Sequence, residues 1–202
     1  MTRRRFTVIL IVVSVCLSLV AWPGTVVAQQ AKRHIAVLVV GLSVERQELE
    51  EFRAGLRQAG YTEGRDVDIQ RSFVEGDYQQ LPRLAAEVVE AHPDVIVVDG
   101  TAGTRALKRA TSTIPIVMAN AADPVGSGLV PNLAHPGANV TGLSNMLVEL
   151  SAKRLQLLKE AVPAASLVAV LWNRDTPYSA KVLQQLELVT PSLGIKLKLF
   201  GV

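Results

Sequence analysis

Several kinds of chemistry are ruled out by what this sequence lacks. Its single cysteine, Cys16, lies in an apolar leader-like run, and there are only three histidines in 202 residues. If that leader is removed, no cysteine remains, which excludes disulfides, thiolate catalysis and zinc-thiolate sites. His92 and His135 each precede a proline in a turn, His34 begins a strand, and no two of the three have metal-ligand spacing. The serines sit in no G-x-S-x-G elbow, so a hydrolase has no nucleophile motif. Residues 137–142, G-A-N-V-T-G, have the glycine spacing of a phosphate loop, but Leu143 stands where the lysine must be. Gly100 and Gly103 do not make a dinucleotide fingerprint. The residues call for no cofactor and no metal.

An excess of charge is also missing, although the sequence pI is about 9.2. Of the 21 Lys and Arg, Arg3, Arg4 and Arg5 fall in the first 28 residues, which hold no acid, so the rest carries 18 of each sign. That balance leaves no electrostatic footprint for nucleic acid. Repeats and low-complexity tracts are absent as well.

What is there begins with those arginines, an apolar run over residues 6–22, Pro23-Gly24 and the small-residue sequence Val26-Val27-Ala28. This is the order of a secretory signal peptide, and cleavage is expected after Ala28. The alternative is an uncleaved anchor, since the apolar run is at the lower limit for crossing a bilayer. Lipid attachment at Cys16 is disfavoured by Val15 before it. The mature chain is expected in the periplasm or otherwise outside the cytoplasm, touching the membrane only through a partner or an uncleaved signal.

From residue 34 the chain alternates short apolar runs with amphipathic segments. H-I-A-V-L-V-V reads as a strand buried on both faces, and Leu49, Phe52 and Leu56 mark a helix over 44–59 that Gly60 caps. A more polar strand follows at 67–73, then a helix at 80–91 that tolerates Pro82 in its first turn. Strands are expected at 95–98 and 116–118, with a short helix at 105–111 between them. This rhythm predicts an α/β fold, a parallel sheet flanked by helices. Ligands of such sheets bind beyond the carboxyl ends of the strands.

Residues 114–146 stand apart. After a short strand they run for more than twenty residues through Asn120, Asp123, Pro124, Gly126, Gly128 and further turn formers, punctuated by Val125, Leu129, Val130, Leu133, Val140 and Leu143. A loop this long in a folded domain is functional or disordered. Its apolar residues need a surface, so we read it as the lip of a binding site. Beyond it we expect the longest helix, 147–161, with Leu147, Leu150, Leu155, Leu158 and Val162 on its buried stripe and Ser144 or Asn145 capping its start. A strand at 167–172, a helix at 178–190 and a strand at 195–200 then begin a second α/β unit.

Ser43, Thr101, Thr104, Asn120, Asn145 and Asn173 are short polar residues at strand ends, several just before helices. Helix N-termini favour an anion, so one rim rich in such residues suits recognition of a small polar solute better than bond breaking. Asp99 and Asp123 also follow strands. Without a nucleophile or metal cluster, Asp123 is expected to cap its loop ahead of Pro124, and Asp99 to end its strand or cap the next helix.

The run P-I-V-M-A-N-A-A-D-P-V-G-S-G-L-V, followed by H-P-G-A-N-V-T-G-L-S, closely resembles the substrate-binding proteins of ABC transporters of the tryptophan/tyrosine-binding type. The segments F-R-A-G-L-R-Q-A-G-Y-T-E-G-R-D-V at 52–67 and W-N-R-D-T-P-Y-S at 172–179 agree. The resemblance implies a type I periplasmic-binding fold, with a first lobe over 29–144 and the start of a second over 145–202. It implies that two lobes close over a solute such as an aromatic amino acid and deliver it to an ABC permease and its ATPase. Ligand contacts would come from Ser43, Thr101, Ala102, Gly103, Asn120, Asp123 and Asn145 in the first lobe, and from Asn173 in the second. Members continue for roughly another hundred residues, a domain's worth, so the second lobe is expected to be incomplete. Competing readings are a ligand-sensing module, an enzyme dependent on Asp99 or Asp123, and a non-functional fragment.

Overall fold

The computed structural model describes residues 32–41, 46–75, 77–176 and 178–202. The leader with Cys16, and also Ser43, Gly76 and Pro177, lie outside the described residues. Chain order gives β1 (Arg33–Val40), α1 (Arg46–Gln58), β2 (Val67–Val74), a 3-10 turn (Tyr78–Gln80) and α2 (Leu81–Glu90). Then come β3 (Val95–Asp99), α3 (Thr101–Ala110), β4 (Ile116–Ala122) and β5 (Val140–Asn145). The last elements are α4 (Ser151–Ala161), β6 (Leu167–Trp172), α5 (Ser179–Leu193) and β7 (Lys196–Gly201).

The first five strands form one parallel sheet in the order β2-β1-β3-β4-β5. The continuous apolar runs take the centre because a strand covered on both faces can expose no polar side chain. Leu38, Ile96, Val98 and Ile116 are fully buried there. The polar strand β2 takes an edge, with only Val67 and Val74 buried. Helices α2 and α3 pack together, and Leu81, Ala85, Val88 and Leu107 join the core cluster. The right-handed crossover rule puts α1, whose connection runs the opposite way along the sheet, on the other face.

Three expectations are corrected. Helix α3 starts at Thr101, not at residue 105, because Gly100 makes the sharp turn with φ +88°. The Thr and Gly residues that read as loop instead give α3 a narrow face against the strands. A Cβ at Gly103 would come within 2.7 and 2.8 Å of methyl groups of Val40 and Val98. Packing here overrides propensity.

The second correction concerns residues 114–146, which are mostly architecture. Strand β4 extends to Ala122, and β5 is a fifth strand that the sequence hid, since Val140 is its one buried residue. Between them Leu129 and Val130 enter the core cluster. Lys108 Nζ donates to the carbonyls of Gly128 and Leu129, each at 2.8 Å. The amide nitrogen of Asn139 donates to the carbonyls of Thr111 and Ile114. Val125, Leu133 and Leu143 remain exposed.

Third, α4 begins at Ser151 and buries only Ser151 and Leu155, leaving Leu150, Leu158 and Val162 exposed. Among the described residues the longest helix is α5, with 15 residues, ended by Gly194 in the left-handed conformation. Strands β6 and β7 form a separate two-stranded parallel sheet, with α5 as its crossover and α4 packed on α5.

Candidate functional site

In the order 2-1-3-4-5 the direction of winding reverses between β1 and β3. Ligands of open parallel sheets bind outside the carboxyl ends of the strands at that reversal. A cleft of about 150 Å³ lies there. Val40 ends β1, Asp99 and Gly100 end β3, and Thr101 and Ala102 open α3 beside them. Strand β4 contributes Asn120 and Ala122, and Asn145 closes β5. The remaining wall is Tyr78 from the 3-10 turn with Thr176 and Tyr178 from the turn after β6. The strand register slips between Val98 and Asp99 and again between Met118 and Ala121. Such irregularities re-aim side chains next to sites.

Local hydrogen bonds sort these groups. The Thr101 hydroxyl is buried and already used: it accepts from the Ala122 N–H at 2.9 Å and donates to the Ala122 carbonyl at 3.2 Å. It therefore pins the start of α3 to β4. The Thr104 hydroxyl likewise donates to the Gly100 carbonyl. The N-cap of α3 is Gly100, which has no side chain to cap with, and the first turn holds no acid, while Lys108 and Arg109 lie in the last turn. The positive end of the helix dipole thus opens on the cleft beside Asp99. Asn145 donates to Asn120 Oδ1 at 2.6 Å and accepts from the Leu147 N–H at 3.1 Å. These bonds hold the two amides side by side on the rim.

Among the described residues that line the cleft, Asp99 is the one acid. The phenol of Tyr178 is held above its ordinary pKa, first by burial and then by the proximity of Tyr78 and Asp99. All three residues line the cleft.

Of the residues expected at the site, Thr101, Ala102, Asn120 and Asn145 line the cleft, and Ser43 lies outside the described residues. Gly103 is buried against β1 and β3 instead. Asn173 is not in the cleft lining, and its Oδ1 accepts from the Asp175 N–H at 2.8 Å. Asp123 caps its loop: Oδ1 accepts from the Gly126 N–H at 2.8 Å, and Oδ2 pairs with Lys181 Nζ of α5 at 2.7 Å. Sequence reasoning missed Tyr78, Thr176 and Tyr178. The available signal was an aromatic residue just ahead of a helix in each connecting segment. Among the described residues, no group of three His, Cys, Asp or Glu could hold a metal. No helix among them is long and apolar enough to cross a membrane.

A doubly wound parallel sheet with a cleft at its switch point, walled by the turn of a second strand–helix–strand unit, has the type I periplasmic-binding architecture. The chain belongs to the ABC transporter substrate binding protein family, whose sequence model matches residues 33–202. It is 33% identical over 140 residues to a tyrosine-binding protein of Clostridioides difficile, covering 66% of this chain and 40% of that one. A conserved domain protein of Vibrio cholerae superposes with a TM-score of 0.75 at 32% identity, covering 85% of this chain and 57% of the other. An ABC domain of Streptococcus pneumoniae in complex with L-Trp gives 0.75 at 26% identity, covering 85% and 58%. The chain thus spans about half the length of these relatives.

Proposed function

We propose that this chain is the solute-binding part of an extracytoplasmic ABC importer, taking an α-amino acid into the switch-point cleft between two lobes, 29–144 and 145–202. The observation that carries this reading is the opposition of charge in the cleft. The N-terminus of α3, with Gly100 as its N-cap, borders the same cleft as the carboxyl group of Asp99, so N–H donors suited to a carboxylate and an acid suited to an ammonium group line one site. A zwitterion satisfies both ends at once, whereas a sugar or a simple anion satisfies one or neither. Asn120 and Asn145 add neutral polar contacts on the rim. The family match and two relatives, one named for tyrosine and one solved with L-Trp, support an amino acid. Binding by contacts made only when the lobes meet would drive closure, and a permease with its ATPase would receive the solute. Removal of the leader after Ala28 would release the chain outside the cytoplasm.

Isothermal titration of the full chain with amino acids and sugars tests this. We expect an amino acid to bind and Asp99→Asn to weaken it at least tenfold, a loss of about 1.4 kcal/mol or more. Binding of sugars alone would overturn the reading.

A further inference from the structure

The walls of the cleft come from two parts of the chain. One is the carboxyl end of the five-stranded sheet with the start of α3, and the other is the turn after β6, which supplies Thr176 and Tyr178. Residues 146–150 join the main sheet to a second unit made of α4, β6, α5 and β7. In that unit α4 and α5 pack on each other, and β6 pairs with β7. Outside the cleft lining, an ion pair connects the two parts: Lys181 Nζ donates to Asp123 Oδ2 at 2.7 Å.

The Asp123 end of this pair is set in place by the main sheet. Asp123 directly follows Ala122, whose N–H and carbonyl are both held by the Thr101 hydroxyl. The Asp123 carbonyl accepts from the Ser127 N–H and its Oδ1 from the Gly126 N–H, each at 2.8 Å. Leu129 and Val130 seat the rest of that loop in the core, and the Asp123 side chain is only 16% exposed. Lys181 belongs to the other wall. It lies one turn beyond Tyr178, whose carbonyl accepts from the Lys181 N–H at 3.1 Å. Gly126 is an independent sign that the pair matters. Its backbone is not left-handed, so its turn does not require glycine, yet a Cβ there would meet both Lys181 Nζ and the Asp123 carboxylate. Glycine at 126 leaves room for the two charges to meet.

We infer that Asp123 and Lys181 form a clasp between the two walls, raising affinity for solute by favouring the closed arrangement without touching the solute. This rests on the two-lobe amino-acid reading above. Where only the closed form binds tightly, the apparent dissociation constant is the intrinsic one divided by the closed fraction. A contact across the walls raises that fraction, and its loss lowers affinity by the same factor. The Lys181 side chain is 39% exposed, so the factor is modest, about two to five.

The test is isothermal titration of the full chain with L-tyrosine, L-tryptophan, L-leucine and L-serine, continued in the variants with each that binds the wild type. Asp123→Asn and Lys181→Met should each weaken binding about two- to fivefold, and the double variant should be no weaker than either single one. Lys181→Arg, which keeps the cation, should retain most of the wild-type affinity. Gly126→Ala keeps both charges but obstructs their meeting, so it should weaken binding as Lys181→Met does. Lys153→Met, which removes a cation paired within α4, should change nothing. Raising the ionic strength should narrow the gap between wild type and Lys181→Met. Unchanged affinity in Lys181→Met, or losses that add in the double variant, would overturn the clasp while leaving the amino-acid reading intact. Failure of the wild-type chain to bind any of the four would overturn both. Lysine and methionine suit a helix equally, so the Lys181→Met arm decides even where Asp123→Asn does not fold.

Discussion

In the five-stranded sheet Leu38, Ile96 and Ile116 are fully buried, whereas in the two-stranded sheet Leu167, Leu171 and Phe200 are 61%, 72% and 44% exposed. Both regions are made of the same unit, a parallel strand pair joined through a helix. The difference is coverage. The central strands β1, β3 and β4 have a strand on each side and interdigitating helices, so their apolar runs meet protein on both faces. Strands β6 and β7 have only each other, with half-buried Val168, Val170 and Trp172 alternating with exposed neighbours on β6. Two strands with helices on one side leave a face open. Apolar sequence alone therefore does not report burial. It reports the capacity to be buried, which the number of layers then realises or leaves unused.

Substitutions break or sharpen this contrast, beginning with the largest effect. Ile96→Ala should cost about 2–5 kcal/mol in urea unfolding, and Leu171→Ala should stay within about 0.5 kcal/mol. Equal losses would mean that the two sheets are equally packed. Next, Gly103→Ala should cost about 1–3 kcal/mol, because the new methyl meets Val40 and Val98 and overpacks the seat of α3.

A smaller effect is expected from the Asp123–Lys181 ion pair, which links the main-sheet loop to α5. A double-mutant cycle on Asp123→Asn and Lys181→Met should give a coupling of about 0.5–1 kcal/mol, reduced by the partial exposure of the lysine. The smallest effect lies in the cleft wall. Because the folded pKa of Tyr178 is raised, its contribution to stability is complete below the unfolded phenol value, about 10, and is lost as pH rises through the folded value. Absorbance titration should show one of the three tyrosines ionising late, and Tyr178→Phe should remove that phase. At the opposite pH extreme, Asp94 is held below its usual pKa by the His34 N–H and the Arg33 guanidinium. That contribution is present at neutral pH and lost below about 4, so Asp94→Asn should flatten the acid limb of the stability profile.

Much of the main sheet was legible because buried strands and amphipathic helices leave periodic marks. The central strands and the α2 face Leu81, Ala85 and Val88 all carry such marks. Strand β5 left none, since pairing with β4 defines it and a Cβ at Gly142 would meet the Met118 backbone. Four of the expected residues, Thr101, Ala102, Asn120 and Asn145, line the cleft, three of them legible as polar residues near strand ends. What sequence could not show is how a side chain spends its hydrogen bonds. The Thr101 hydroxyl, for instance, fastens α3 to β4, and Asn173 Oδ1 accepts within its own turn. Tyr78 and Tyr178 line one cleft although a hundred residues of chain separate them, a juxtaposition that no local pattern encodes.

The Asp123–Lys181 bridge also bears on how this sequence can drift. Gly126 has no left-handed backbone, so its own turn does not demand glycine. A Cβ there would instead fall 1.9 Å from Lys181 Nζ and 2.1 Å from the Asp123 carboxylate. Both obstructing atoms end flexible side chains, so a larger residue at 126 is admissible once the bridge is gone. Positions 123, 126 and 181 are thus expected to change together over descent, a co-variation written by one ion pair between segments far apart in the chain.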